Sequence, residues 1–529
     1  MSNSVNNRIS LFTLLAAGLL AACTTVGPDY ERPKMDMPPD WRNSKSQPGN
    51  GKLEKDGGKP VATQPAAPVK KTGEAGERWW TLYADPVLNK LEDEAFAHNA
   101  NVQSAVANVL LARAQLGLTE GNQYPTVSAN LSESRTEYSV NSVTPIPAGS
   151  SNEVNVTHAS INASYELDLW GKYRRASESA RASLLSAEAS RDAAYLSLSA
   201  QVAQQYFALL AFDAQEAVLK RALAGRQEMI VLDKKKVEVG AMSEYDLHQA
   251  EADEAAIRSQ LASLAQVRDQ QESALAVLLG RPPRDIINGT VERGTLSDRN
   301  PSALANVWVP EGLPSDLLLR RPDVRAAEMN LVSLNAQIGV ARAQYFPSLT
   351  LTGYLGKESV PFSKLFSPSS NIFQFAAGVT EPIFNAGRTG YLVDTAQANR
   401  DAAVAQYKLA VSNAFADLRN AVVAQDASRQ VLEAETARST ALAKAQVQSE
   451  ARYKVGVASR LEVLDVEKNY LLAELTRLDA ERAQRSAVAD LFKALGGGWK
   501  AEPADKKAEG KDESVGTKAG VKADAQAGK

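Results

Sequence analysis

The chain has 529 residues, with 59 Lys and Arg against 62 Asp and Glu, for a formal charge of −3. That balance is too weak to hold a polyanion, and no basic patch interleaved with aromatics is present, so nucleic acid is not an expected partner. A single Cys rules out internal disulfides, His98, His158 and His248 lack metal-ligand spacing, and no GxxxxGK[ST] loop occurs. No enzyme activity, cofactor or metal is therefore expected.

In chain order, the first feature is the apolar run from Leu11 to Ala22 behind Arg8, too short to span a bilayer and read as a secretory signal over 1–22. It ends in Leu20-Ala21-Ala22-Cys23, which resembles a bacterial lipobox, where the Cys is lipidated and becomes the first mature residue. Thr24 in place of Asp favours the outer membrane. Residues 23–87 are expected to be a lipidated segment with a flexible linker, since 43–78 is rich in Lys, Glu, Gly, Pro and Ala.

The chain then repeats itself. Val102, Ala105, Asn108, Ala114, Gln115 and Pro125 recur 222 residues on as Val324, Ala327, Asn330, Ala336, Gln337 and Pro347. Beyond them a shift of 216 takes Gly171, Val239, Gly240, Ser243, Leu275 and Gly280 onto Gly387, Val455, Gly456, Ser459, Leu491 and Gly496. Two structural repeats are expected, 88–280 and 322–498, joined by a connecting segment 281–321 and followed by a disordered tail 499–529.

Within each repeat the apolar period changes from helical to two and back. Val127, Ala129 and Leu131 alternate with polar residues, as do Ala159, Ile161, Ala163, Tyr165, Leu167 and Leu169. Leu349, Leu351 and Leu355, then Phe373, Phe375, Ala377, Val379 and Ile383, repeat the pattern. Such stretches are long enough to cross a bilayer as tilted strands, though half-buried strands of a soluble sandwich read alike. In lipid, four strands cannot close and an open edge has no partners, so several chains must contribute: two chains give eight strands, three give twelve.

The rest is helical, with no Pro between Gly171 and Arg281 or between Ile383 and Glu502. Gly240 and Gly456 can each end one helix, with Ser243 and Ser459 capping the next. Each repeat thus holds a helical hairpin. The outgoing helix, about 173–237, reaches roughly 100 Å, and its return, completed by stacking residues 88–118 end to end, covers a similar length. Leu247, Ala250, Ile257, Leu261 and Leu275, and in the second repeat Leu461, Leu464, Leu471, Leu475 and Leu478, follow heptad spacing. Helices of this kind equally make a filamentous coiled coil.

These residues resemble the outer-membrane efflux proteins, and among them the lipoprotein factors of drug-exporting tripartite pumps. The resemblance runs from Cys23 and Val26-Gly27-Pro28-Asp29-Tyr30 through Trp79-Trp80 and Tyr165-Glu166-Leu167-Asp168-Leu169-Trp170-Gly171-Lys172. It continues in Leu279-Gly280-Arg281-Pro282-Pro283, Leu319-Arg320-Arg321-Pro322-Asp323 and Pro382-Ile383-Phe384-Asn385-Ala386-Gly387-Arg388. The fold it implies is mainly α, with four strands per chain in a trimeric twelve-stranded outer-membrane β-barrel continuous with a long periplasmic α-helical barrel. It implies a passive exit duct for small molecules such as drugs, a homotrimer set in outer-membrane lipid, a periplasmic adaptor and an inner-membrane RND-type pump. A duct for type I protein secretion shares the architecture, but the lipobox favours the small-molecule pumps.

By the same resemblance, the turns Val239, Gly240, Ser243 and Val455, Gly456, Ser459 meet the adaptor, and the second turn lies where the duct closes. There Leu461, Asp465 and Lys468 share one helical face, with Glu462 at its margin. In a trimer each position becomes a ring of three: Leu an apolar barrier, the carboxylates attractive to cations, Lys468 in reach of Asp465. The first repeat has Asp246 and Gln249 in place of Glu462 and Asp465, so the two hairpins are not equivalent.

Overall fold

The computed structural model describes residues 25–36, 78–139, 141, 151–294 and 319–497. The signal segment 1–22, Cys23 and the tail 499–529 lie outside the described residues, as do 37–77 of the N-terminal segment and 295–318 of the connecting segment. A short 3-10 turn, Trp79–Tyr83, leads into α1 (Pro86–His98) and α2 (Ala100–Gly121), then β1 (Thr126–Glu137) and β2 (Glu153–Leu167). The hairpin α3 (Lys172–Glu238) and α4 (Glu244–Leu278) follows, then α5 (Pro283–Asn288) and α6 (Pro322–Ala343). The second strand pair is β3 (Ser348–Ser359) and β4 (Asn371–Thr380), and the second hairpin is α7 (Arg388–Lys454) and α8 (Arg460–Ala494).

The duplication is visible in the lengths. α2 and α6 have 22 residues each, α3 and α7 have 67, and α4 and α8 have 35. The return path is pieced together as its length requires. Asn99 caps α2 by accepting from Asn101 N and Val102 N while its Nδ2 donates to Leu278 O at 2.8 Å, setting α2 end to end with α4. In the other repeat Arg321 Nη1 donates to Ala494 O at 3.2 Å, placing α6 against the end of α8. Each long helix packs alongside such a two-part partner, because an amphipathic helix is stable only where its apolar stripe is covered. Val102 and Val324, like Leu275 and Leu491, are buried at equivalent places in the two repeats.

The four strands form one antiparallel sheet in the order β1-β2-β3-β4. Register puts Val127 opposite Ala163, Ala129 opposite Ile161, Ile161 opposite Leu355, and Leu355 opposite Phe373, so the alternating side chains merge into one apolar face. Phe375 covers Gly353, where an added Cβ would come within 2.9 Å of its ring. Lys357 sits on this face but carries its ammonium to Asn371 Oδ1, 2.8 Å away at the outer turn. Two expectations shift here. β4 stops at Thr380, so Ile383 is not a strand residue, because Pro382 has no N–H for the ladder. Leu169 likewise falls beyond β2, where Leu169 N donates back to Leu167 O in the turn to α3.

A belt of large side chains grips the middle of the bundle. Trp79 donates to Ser199 Oγ at 3.0 Å and stacks on Phe492, and Tyr83 donates to Arg485 O at 2.6 Å, tying α3 to α8. Nearby, Glu92 is fully buried on α1, and neither carboxyl oxygen has a hydrogen-bond partner. Burial pushes its carboxyl well above the usual carboxylate range, Asp93 adds to the rise and Arg78 opposes it. The folded protein therefore keeps a proton that the unfolded chain releases above about pH 4.3, so stability falls as pH rises from there toward the raised value. E92Q is neutral in both states. Its gain in Tm over the unaltered protein is expected to be absent near about pH 4 and to grow through neutrality; a gain independent of pH would assign the effect to packing.

Candidate functional site at the hairpin tips

Both tips are built alike from backbone chemistry. Gly240 and Gly456 take φ of +72° and +78°, and Ala241 N and Val457 N donate back to Lys236 O and Arg452 O, closing the helix ends. Ser243 Oγ accepts from Asp246 N at 3.3 Å and Ser459 Oγ from Glu462 N at 3.1 Å, starting the return helices. Val239, Val455 and Val457 stand exposed beside these turns.

After the second turn, Leu461, Asp465 and Lys468 lie together on the exposed side of α8, while Val463 and Leu464 are buried against the neighbouring helices. Leu461 thus leaves the heptad seam to which spacing assigned it, being 58% exposed. Glu462 pairs with Arg452 at 3.0 Å. Asp465 accepts from Asn469 Nδ2 at 3.2 Å, and Lys468 does not pair with it inside the chain.

The charges that join the two hairpins lie on the buried side of α8, and sequence reasoning missed them. Arg460 Nη2 reaches Asp233 of α3 at 3.4 Å, with both side chains almost wholly buried. Lys236 Nζ donates to Tyr453 OH at 3.2 Å and stays 3.9 Å from Asp233, while the Arg460 and Lys236 cations both lie over the Tyr453 ring. About two helical turns further along, buried Arg226 pairs with Glu467 at 2.9 Å. Burial lifts the Glu467 carboxyl above its ordinary range, against the pull of Arg226 and Arg460. Arg460 and Glu467 are seven residues apart, flanking Val463 and Leu464: two charges on an otherwise apolar stripe were the available signal.

At the other end of the long helices, Asp168 accepts from Tyr173 N and Arg174 N at the start of α3, and Trp170 Nε1 donates to Pro347 O at 2.8 Å while stacking on Phe346. Val26 N donates to Trp170 O, and the N-terminal strap continues down α6. Gly27 lies against Gly339, Asn335 Nδ2 donates to Pro28 O, and Arg32 holds Glu328 through two hydrogen bonds. No helix among the described residues is long and apolar enough to cross a membrane, and these residues contain no cluster able to hold a metal ion.

A sheet with one apolar face, fused at the Trp170 junction to two long hairpins and written twice, is matched by the family model for outer membrane efflux proteins over residues 91–281 and 313–497. The chain belongs to the outer membrane efflux protein family. It is similar to the cation efflux system protein CusC of Escherichia coli, 31% identical over 92% of this chain and 98% of that protein. It is also similar to the toluene efflux pump outer membrane protein TtgC of Pseudomonas putida, 30% identical over 93% and 96%. Among solved structures, the open state of the Neisseria gonorrhoeae MtrE outer membrane channel superposes with a TM-score of 0.71 at 32% identity, over 90% of this chain and 98% of that one. The efflux protein is accordingly an outer-membrane exit duct of a transport family, mainly α, whose four strands are one third of a trimeric twelve-stranded barrel. A filament of coiled coils has no place for such a sheet.

Proposed function

We propose that the protein is the lipid-anchored outer-membrane subunit of a tripartite efflux pump, assembling as a homotrimer and passing small molecules passively to the exterior. The observation that carries this is the open four-stranded sheet with one continuous apolar face, fused to paired hairpins. Its two free edges demand strands from other chains in lipid, and three chains supply twelve. Lipidation at Cys23 fits the strap, since Thr25, two residues on in the sequence, packs on Gly171 where strand gives way to helix. The exposed valines at 239 and 455 beside the Gly240, Ser243, Gly456 and Ser459 turns suit an apolar contact with a periplasmic adaptor, which would join the duct to an inner-membrane pump of RND type. Its relatives are named for cations in one case and for toluene in another, which fits a duct whose pump selects the cargo. Heat-resistant trimers in outer-membrane fractions, lost with C23S, test anchoring and assembly together. Drug and metal sensitivity of a strain lacking the gene, measured side by side, identifies the cargo.

The closed end of this duct is assigned to Leu461, Glu462, Asp465 and Lys468. Leu461, Asp465 and Lys468 sit on the exposed side of α8 with Asp465 and Lys468 unpaired with each other, which leaves them available to a pore lumen or a neighbouring chain, while Glu462 at the margin is held by Arg452. The double variant D465A/K468A is expected to raise single-channel conductance in planar bilayers. Unchanged conductance would move the constriction elsewhere.

A further inference from the structure

Toward the membrane end the helices run in the order α2, α3, α6, α7, each packed on the next, which leaves α2 and α7 as the open sides of the chain. The seam between α3 and α6, where the two repeats meet, shows how such a side is closed. Gly339 of α6 has no side chain, so the strap and the stem of Arg175 settle onto it; an added Cβ would lie 2.6 Å from Val26 O and 2.8 Å from Arg175 Cγ. The Arg175 guanidinium then holds the strap, with Asp29 at 2.7 Å and the carbonyls of Val26 and Gly27 at 3.4 Å. Thr25 covers Gly171 at the head of α3, and Gln337 Nε2 donates to Ser179 Oγ across the seam at 3.4 Å.

The duplication carries these positions to the open sides. A shift of 222 takes Gln337 and Gly339 back to Gln115 and Gly117 of α2, and a shift of 216 takes Gly171, Arg175 and Ser179 on to Gly387, Tyr391 and Thr395 of α7. The glycines, the amide and a hydroxyl are kept, whereas the arginine becomes an aromatic. A Cβ on Gly117 would meet no atom within 4 Å, although alanine is the more favourable residue in a solvated helix. Tyr391 is 70% exposed, and its ring stands 3.5 Å from where a Gly387 Cβ would be, the place that Thr25 takes over Gly171. Each chain has one N-terminus, hence one strap for two such seams.

We propose that Tyr391 closes the seam between neighbouring chains, seating on Gly117 of the next chain as Arg175 seats on Gly339 within one chain, with its ring filling the place of the strap. Straps and tyrosines then alternate around the trimer, three of each, and Gln115 donates to Thr395 across each chain boundary. Gly117 is glycine because a ring approaches the helix backbone there. The inference rests on the trimeric reading and adds to it which surfaces meet head to tail, and in what register.

Cysteine pairing tests the register in the full-length protein, whose one native Cys is Cys23. A disulfide needs Cβ atoms about 3.5–4.5 Å apart, so Gly117→Cys/Tyr391→Cys is expected to give covalent trimers on non-reducing gels of boiled outer membranes. Either cysteine alone should run as a monomer, as should Gly117→Cys/Lys408→Cys, with the second thiol about five turns further along α7. Gly117→Ala supplies a second reading, because its sign depends on what covers the position. At an open helix site the alanine should raise the temperature at which heat-resistant trimers dissociate; beneath a seated ring it should lower it, as should Tyr391→Ala. Gly117→Ala/Tyr391→Ala should then dissociate no sooner than Tyr391→Ala alone. Heat-resistant trimers that yield no covalent species, or Gly117→Ala trimers that outlast the unaltered ones, overturn the proposal and leave the trimer standing. Absence of trimers from the unaltered protein would overturn the trimeric reading itself, and this inference with it.

Discussion

Replacing Arg460 with Ala is expected to raise the resting open probability of the reconstituted channel by about tenfold or more. Asp233 is 1% exposed, and its closest cation in the structure is Arg460, with Lys236 further off. Removing one partner of a buried ion pair costs about 3–5 kcal/mol, because the other charge is left without water or counter-charge. The adjoined hairpins bear that cost, and swinging them apart relieves it by letting water reach Asp233. D233A should act in the same direction. The informative variant is D233A/R460A: with neither charge present nothing is stranded, so the double variant should open no more than R460A alone, and the difference gives the coupling. If the two single effects simply add, or if no variant changes resting conductance, the pair is a packing detail and the closed state depends on the exposed face of α8. Y453F provides a finer comparison, removing only the hydroxyl that accepts from Lys236 while keeping the ring beneath both cations.

This contrast explains how far the sequence could be read. Duplication, strand alternation and the glycine and serine turns are local patterns with fixed periods, and each appears in the structure at the residues that carried it, apart from Leu169 and Ile383 just past the strand ends. The exposed face holding Leu461, Asp465 and Lys468 was legible for the same reason, since helical spacing alone decides it. Asp233 with Arg460 is different: the partners are 227 residues apart and belong to different repeats. Nothing in the run Asp233-Lys234-Lys235-Lys236 distinguishes it from a solvated helix end until α7 and α8 are laid beside it. The N-terminal strap was hidden likewise, because Gly27 matters only through its contact with Gly339 in the second repeat. The end of β4 was legible in principle and was overrun, since Pro382 stands directly before Ile383.

The assignment of the sheet's two faces to lipid and lumen can be tested within one strand. Phe373 and Phe375 lie on the apolar face of β4, both more than three-quarters exposed in the single chain, whereas Gln374 between them faces Tyr354 on the other side. An arginine on the lipid side of a barrel costs about 2–4 kcal/mol near the bilayer midplane, and in a trimer that penalty falls three times on one assembly whose barrel closes only when all chains insert. Phe375→Arg, at the middle of a ten-residue strand, is therefore expected to abolish heat-resistant trimers in the outer membrane, and the protein should collect in the periplasm with its helices intact by circular dichroism. It also uncovers Gly353, which has no side chain to fill the gap left by the ring. Gln374→Arg carries the same charge one residue away, yet it points into water and should assemble normally, altering at most the ion selectivity of the pore. Should both arginines assemble equally well, the alternation along β4 would not mark the lipid boundary, and the closure of twelve strands would lose its physical basis. Phe373→Arg, nearer the outer end of the strand, should fall between the two, because the penalty for a buried guanidinium shrinks where the side chain can reach the interface.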